Sequence, residues 1–406
     1  MSTGRLQVNV FDKTIGKPLG NVNVRIFRSN DNQNSIFELT TNSSGQSDTI
    51  ELETPPVEYS LTPNSPMPYS EYTAEIIKEN YEQISVEKIQ ILPNSLATQN
   101  VFLNPISPNS ELPLEFIIPP HTLYGEYPPK IVENAIKELP NNSGLVVLDK
   151  VVVPEFIVVH DGDPNDDSAP NYWIPYKDYI KNVASCEIYA TWPIESIKAN
   201  ILTINSFTLN RVYTEWYRSR GKNFTITSST AYDQKFVYQR NIFQEISNIV
   251  DDFFATFITK PNIKQPLFTQ YCDGKNVTCP NWLSQWGSKE LAENGLGYIE
   301  ILQNYYGSDI YLESTDQVTG IPVSFPGETL QIGSSGNAVR TIQSQLNAIS
   351  DNYPLINKLA VDGVYGQSTA DAVKQFQNIF GMPETGLVDY ATWYEISKVY
   401  TAVKRL

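Results

Sequence analysis

The stretch from Tyr179 to Arg211, YIKNVASCEIYATWPIESIKANILTINSFTLNR, commits this chain to a helical centre. Ile194, Ile197, Ile201, Ile204, Phe207, Leu209 and Val212 recur mostly at three- and four-residue steps, the spacing of a buried helical stripe. Ile180, Val183 and Ala184 predict a shorter helix before it. Pro193 suits the first turn of the second helix, where its missing N–H costs nothing, and Thr191 is close enough to cap it. The two helices should therefore meet at a sharp corner. Glu187 falls at that corner, after the first helix, flanked by Cys186, Ile188 and Tyr189. A carboxylate in such company is partly desolvated, which raises its pKa and lets it hold a proton near neutral pH. Glycoside cleavage asks this of its general acid.

A chain of 406 residues is too long for one ordinary domain, and 41% hydrophobic with 12% aromatic residues is ample for packed cores. The net charge of −16 argues against a nucleic-acid groove or an anionic membrane surface. It equally argues against electrostatic capture of an anionic wall polymer. Wall binding would rest on aromatic and hydrogen-bonding contacts, for which 24 Tyr and 6 Trp suffice. The start, MSTGRLQVNVFDKT, lacks a basic and then apolar leader, so no classical signal peptide is expected, and no run is long enough for a membrane span.

Three units are expected, with a linker between the first two. Residues 1–105 read as an all-β sandwich: Leu6, Val8 and Val10 alternate in one strand, Val22, Val24 and Ile26 in the next. Residues 106–150 are broken by Pro108, Pro113, Pro119, Pro120, Pro128, Pro129 and Pro140, with room for one short helix from Ile131 to Leu139. Residues 151–325 hold the helical corner and a further amphipathic helix near Asn241–Ile258. Residues 326–406 carry two helical faces, Val339-Ile342-Leu346 and Ala372-Val373-Phe376, around the turn dipeptide Asp362-Gly363.

Several of these blocks resemble known families. The run Y-I-K-N-V-A-S-C-E-I-Y-A-T-W-P-I-E-S-I-K-A-N looks like the start of the stage II sporulation protein D (SpoIID) domain. Leu283-Ser284-Gln285-Trp286-Gly287, followed by Tyr305-Tyr306-Gly307, resembles that family's second signature. The N-terminal module resembles immunoglobulin-like or transthyretin-like sandwiches, and the C-terminal unit resembles the three-helix peptidoglycan-binding domain. As a whole, the layout is similar to that of the clostridial-type spore cortex-lytic enzymes.

That resemblance implies a central α+β catalytic domain, a peptidoglycan lytic transglycosylase acting on spore cortex, with Glu187 as its acid/base. It implies a proenzyme, made in the mother cell, deposited around the spore and cut by a subtilisin-like protease during germination. By domain layout the cut falls at Lys150–Val151. Ser284, Gln285, Trp286, Tyr271 and Tyr306 are the candidate substrate contacts, with Asp233 and Gln234 as further cleft residues. For Gln285 a turn amide bonding its own backbone serves as well, and Trp286 and Tyr306 suit a core equally.

Other readings compete. A non-catalytic wall-binding protein would use the same cleft, and a muramidase would use water and leave reducing ends. No cofactor is implied: the loop 225–234 lacks the Cys and His that hold zinc in some SpoIID-type proteins. Cys272 and Cys279 suit packing or a local disulfide, and a Cys186–His160 protease pair has nothing in its spacing to favour it. Asp161, Asp163, Asn165 and Asp167 resemble a calcium loop, yet Asp166 and Tyr172 stand where Gly and Glu are needed, so a solvated loop is expected.

Overall fold

The computed structural model of the chain describes residues 2–29, 34–106, 114–138 and 150–404. Strict alternation in β1 (Ser2–Asp12) turns Leu6, Val8 and Val10 inward and leaves Arg5 in solvent. Alternation continues through β2 (Asn23–Arg28) and β4 (Ile50–Thr54), while β3 (Phe37–Thr40) between them is a largely exposed edge strand, and a single helical turn, α1 (Glu58–Leu61), follows. β5 (Ser70–Ile77), β6 (Ile84–Ile91), β7 (Leu96–Leu103) and β8 (Leu114–Ile117) follow. One sheet has the order β3-β2-β5-β6-β8, so the expected boundary at residue 105 is overrun by a strand. β1 lies between β4, antiparallel, and β7, parallel, in a second sheet.

That second sheet does not end with its own module. Ile242 and Phe243 (β12) pair antiparallel with Thr98 and Ala97 of β7. They follow β9 (Phe156–His160), β10 (Asn171–Pro175), α2 (Tyr176–Glu187), α3 (Ile194–Tyr213) and β11 (Ile226–Thr227) in the chain. The N-terminal module is thus stitched into the central unit. Gln99 Nε2 donates to Gln239 O, and Asn241 Nδ2 donates to Gln90 O at 2.9 Å.

α3 is the axis of the central unit. It packs against α2, α4 (Gln244–Phe253), β13 (Thr256–Thr259), α5 (Gln285–Glu293) and α6 (Tyr298–Tyr306). Of the predicted stripe, Ile197, Ile201, Ile204, Phe207 and Leu209 are buried while Ile194 is 56% exposed at the helix start. Buried amides of the helix fasten neighbouring loops: Asn205 Nδ2 reaches Phe254 O at 3.0 Å, and Asn210 Nδ2 reaches Pro266 O at 2.8 Å. Two short pairings complete the unit, β14 (Tyr271–Cys272) with β15 (Leu283–Ser284), and β13 with β16 (Tyr311–Ser314).

The structure alters several expectations. Glu187 is the last residue of α2 rather than a residue beyond it, because Ile188 turns to extended backbone. Thr191 does not cap α3; its hydroxyl donates to Ser60 Oγ, and Pro193 occupies the N-cap position. The helix expected over Asn241–Ile258 is divided, since Thr256–Thr259 pairs with β16. Residues 131–138 are not helical, and Leu139 lies outside the described residues. Their backbone groups bond to the central unit instead of to each other.

The C-terminal unit has the three expected helices, α7 (Asn337–Ile349), α8 (Gln367–Ile379) and α9 (Tyr390–Lys404). Val339, Ile342, Leu346, Ala372, Val373, Phe376 and Trp393 form its core. Charged pairs dock it to the centre, one of them buried. Lys177 pairs with Asp251 at 2.9 Å and with Glu395, and Lys398 pairs with Asp178 at 2.7 Å. The N-terminal module grips it as well, through Gln46 Nε2 donating to Ile379 O at 3.0 Å.

Candidate active site

α2 stops at Glu187, where Ile188 turns to extended backbone. This leaves a carboxyl group at a helix C-terminus, the end that disfavours negative charge. Glu187 is 2% exposed. Burial pushes its carboxyl above the usual carboxylate range, opposed by Lys130, Tyr271 and the Lys235 N–H. Its Oε1 accepts from Lys235 N at 2.7 Å. Gln285 Nε2 donates to the Glu187 backbone carbonyl at 3.0 Å and stands 3.5 Å from Oε2. The buried Tyr271 hydroxyl lies beside the carboxyl group without a hydrogen bond of full geometry, and burial raises its pKa well above the usual phenol value.

Glu187, Tyr271 and Gln285 line one small cavity of about 60 Å³ with Cys272, Asp273, Asn276 and Val277. The opposite wall comes from the Pro-rich segment: Thr122, Tyr127, Pro128, Pro129 and Lys130. Ligand pockets commonly run to about 300–1,000 Å³. In this form the site has room for water but not for a sugar. Lys130 donates to Thr230 O at 3.3 Å and to Asp233 O, and its ammonium lies 4.6 Å from the Tyr271 ring centre. Burial lowers its pKa, while Glu187 and Asp233 work against that shift.

Of the residues singled out from sequence, Glu187, Gln285 and Tyr271 converge on the cavity. Ser284 adjoins it as the N-cap of α5, its Oγ accepting from Gly287 N at 2.9 Å. A Cβ on Gly274 would fall 1.8 Å from that Ser284 Oγ, and Gly274 has φ +77°, so this turn requires glycine. Trp286 is a core residue, 5.0 Å from Trp192 between ring centres. Tyr306 is turned inward too, its hydroxyl donating to Gln270 O at 2.9 Å.

Asp233 and Gln234 do not line the cavity. Asp233 is wholly buried and accepts from Arg211 Nε at 2.7 Å, Tyr217 at 2.7 Å and Thr227 N at 2.9 Å. Gln234 is equally buried, bonded to Tyr179, Thr208 and Ile204. Polar residues in a loop look like cleft residues in sequence, whereas here they tie the loop to α2 and α3.

Cys272 and Cys279 are joined in a disulfide across the loop that forms the cavity rim. Cys186 is buried and free. His160 bonds Asn171 Oδ1 and the Asp163 carbonyl, which commits both ring nitrogens away from Cys186. Asp163 and Asp166 cap their own exposed turns, as the solvated-loop reading expects. Lys130, Lys235, Gln265 and Gln270 were not singled out. Pro128-Pro129 ahead of Lys130 is a signal in retrospect, since it forces an extended backbone there.

Residues 335–396 match a family model described as a putative peptidoglycan binding domain. The C-terminal unit is a peptidoglycan-binding helical domain. The chain also resembles the zinc D-Ala-D-Ala carboxypeptidase of Streptomyces albus G, 39% identical over 69 residues, 17% of this chain and 26% of that protein. It thus spans about a quarter of that relative's length. Among solved structures, the SleB N-terminal domain is 34% identical over 19% of this chain and 97% of that one, with a TM-score of 0.17. The 5-hydroxyisourate hydrolase of Klebsiella pneumoniae covers 26% of this chain and 93% of its own, at 16% identity and a TM-score of 0.18. Structural likeness at that level carries no weight for the fold. Among the described residues, no helix is long and apolar enough to cross a membrane.

Proposed function

We propose that this chain is a lytic transglycosylase of peptidoglycan, directed to spore cortex, and that it is held as a proenzyme. One observation carries the reading: a buried carboxyl group with a raised pKa, Glu187, faces the cavity in a chain that ends in a peptidoglycan-binding domain. Protonated Glu187 gives its proton to the glycosidic oxygen as the bond from the muramic anomeric carbon breaks. The same group, now a carboxylate, takes the proton of the muramic C6 hydroxyl as that oxygen bonds to the anomeric carbon. The products are a 1,6-anhydro end and a free hydroxyl, with no water consumed. Gln285 and Tyr271 orient the carboxyl and contact the sugar.

The proenzyme reading is supported by the position of residues 122–130, which supply one wall of the cavity beside Glu187. A subtilisin-like protease cutting near Lys150 would free their C-terminal tether. Lys150 is exposed, but Val151 is buried and its carbonyl accepts from Thr315 Oγ1 at 2.6 Å, so a cut at that bond needs local opening. In this reading the N-terminal module is an immunoglobulin- or transthyretin-like sandwich that folds with the centre and shields it. Deposition around the spore from the mother cell would bring the proenzyme to its substrate.

The test is digestion of cortex-type and vegetative peptidoglycan by the full chain, the protease-cut chain and Glu187→Gln, read by mass spectrometry. Anhydro-muramic ends from the cut chain alone support the proposal. Reducing ends would make the enzyme a muramidase. Wall binding without new ends in any sample would leave a binding protein.

A further inference from the structure

Beyond the cavity, residues 130–137 (KIVENAIK) run without regular secondary structure, bent at Ala135–Ile136, through a groove that reads them as a peptide. Gln270 takes both faces of the backbone: its Oε1 accepts from Glu133 N at 2.8 Å and its Nε2 donates to Ile131 O at 2.7 Å. Gln265 repeats the device at Lys137, accepting from N at 3.0 Å and donating to O at 2.9 Å. Between them, Phe268 N donates to Ala135 O at 2.8 Å. Arg211 presents Nη1 and Nη2 to the Glu133 carboxylate at 3.1 and 2.6 Å. The Lys137 ammonium sits 3.8 Å from the Phe268 ring centre and, within the segment, 2.9 Å from the Glu133 carboxylate. Gln265, Gln270 and Arg211 are 6%, 1% and 1% exposed, with their polar ends turned to the segment.

Two side-chain amides that pair with successive peptide groups, a guanidinium fork for a carboxylate and an aromatic seat for an amine make a recognition site for a peptide without regular secondary structure. The segment enters this groove directly from Lys130, beside Glu187. We infer that the groove is the subsite for the peptide stem of peptidoglycan, with residues 130–137 as a built-in stand-in for it. The stem offers what the groove reads: amide groups in sequence, a free carboxylate and, further along, an amine-bearing residue. It also springs from the muramic sugar that the proposed chemistry places at Glu187. Only that placement rests on the function proposed above.

The experiment measures hydrogen exchange of the Ile131, Glu133 and Lys137 amides by NMR, in the full chain and in Glu133→Gln. The variant loosens the stand-in by removing the charge held by Arg211. The probes are a disaccharide-tetrapeptide muropeptide and the same disaccharide without peptide. A charge-assisted contact handed from linker to ligand corresponds to about ten-fold or more in affinity. Exchange in Glu133→Gln should therefore rise about ten-fold more with the peptide-bearing probe than with the peptide-free one. Equal acceleration by both probes, or by neither, overturns the inference. Binding at the C-terminal domain leaves these amides unmoved. Cleavage surviving Glu187→Gln with discriminating exchange would sink the catalytic reading alone. Cleavage lost with non-discriminating exchange would sink the groove alone.

Discussion

Replacing Glu187 by Gln should abolish cleavage while keeping the fold, and the surroundings say why. The amide oxygen can keep the bond from Lys235 N, so the local backbone has no reason to move. The new amide nitrogen would face Gln285 Nε2, which now stands 3.5 Å from Oε2. Two facing donors cost about 1 kcal/mol, offset by removal of a buried charge. A positioned general acid or base contributes about 10²–10⁴-fold. Because one carboxyl serves both half-reactions, the loss should lie at or beyond the upper end. Mass spectrometry of anhydro ends from the protease-cut chain measures it. Stability gives a second reading. Burial raises the folded pKa above the ordinary 4.5, so the folded state holds its proton more tightly than the unfolded one. Wild type is then most favoured relative to Gln below pH 4.5 and loses ground as pH rises through the folded pKa. Denaturant titrations at several pH values would show it. Activity within ten-fold of wild type, or a stability difference flat with pH, would refute the reasoning.

Arg211→Met leaves the buried Asp233 without its cation and should cost about 3–5 kcal/mol, seen as a lower urea midpoint. Gly274→Ala forces a Cβ onto Ser284 Oγ from a left-handed backbone; cleavage should fall at least ten-fold while the C-terminal domain still binds wall, as a pull-down on purified peptidoglycan would show. Glu395→Ala removes a partner from the buried Lys177 and should raise protease sensitivity across Gly320–Gly327 as the C-terminal domain loosens. Residues 1–138 and 150–406, made as separate chains, should copurify through the β7–β12 pairing, whereas 150–406 alone should precipitate from exposure of that interface.

The helical corner was legible because its signals are local: a stripe at helical spacing, a proline and a carboxylate among apolar residues all sit within Tyr179–Arg211. The first two C-terminal helices were legible for the same reason, and the third only through the resemblance to the peptidoglycan-binding domain. Ile131–Leu139 was not, because its helix-like composition is overridden by partners far along the chain, Gln265 and Gln270. Nothing near Ile242 announces a strand partner at Thr98. Asp233 shows the limit for sites: a loop carboxylate that solvates a cleft and one that neutralises a buried arginine are spelled alike.

If the proposed cleavage is this chain's activity, the docking of the C-terminal domain has a mechanical meaning. Gln46 on one side and the Lys177–Glu395 and Lys398–Asp178 pairs on the other hold it against both neighbours. Grip and blade therefore keep one spacing and one angle. On a cross-linked mesh such a molecule does not search around its anchor point; it works only where the lattice offers a strand at that offset, so its cuts should fall at preferred intervals.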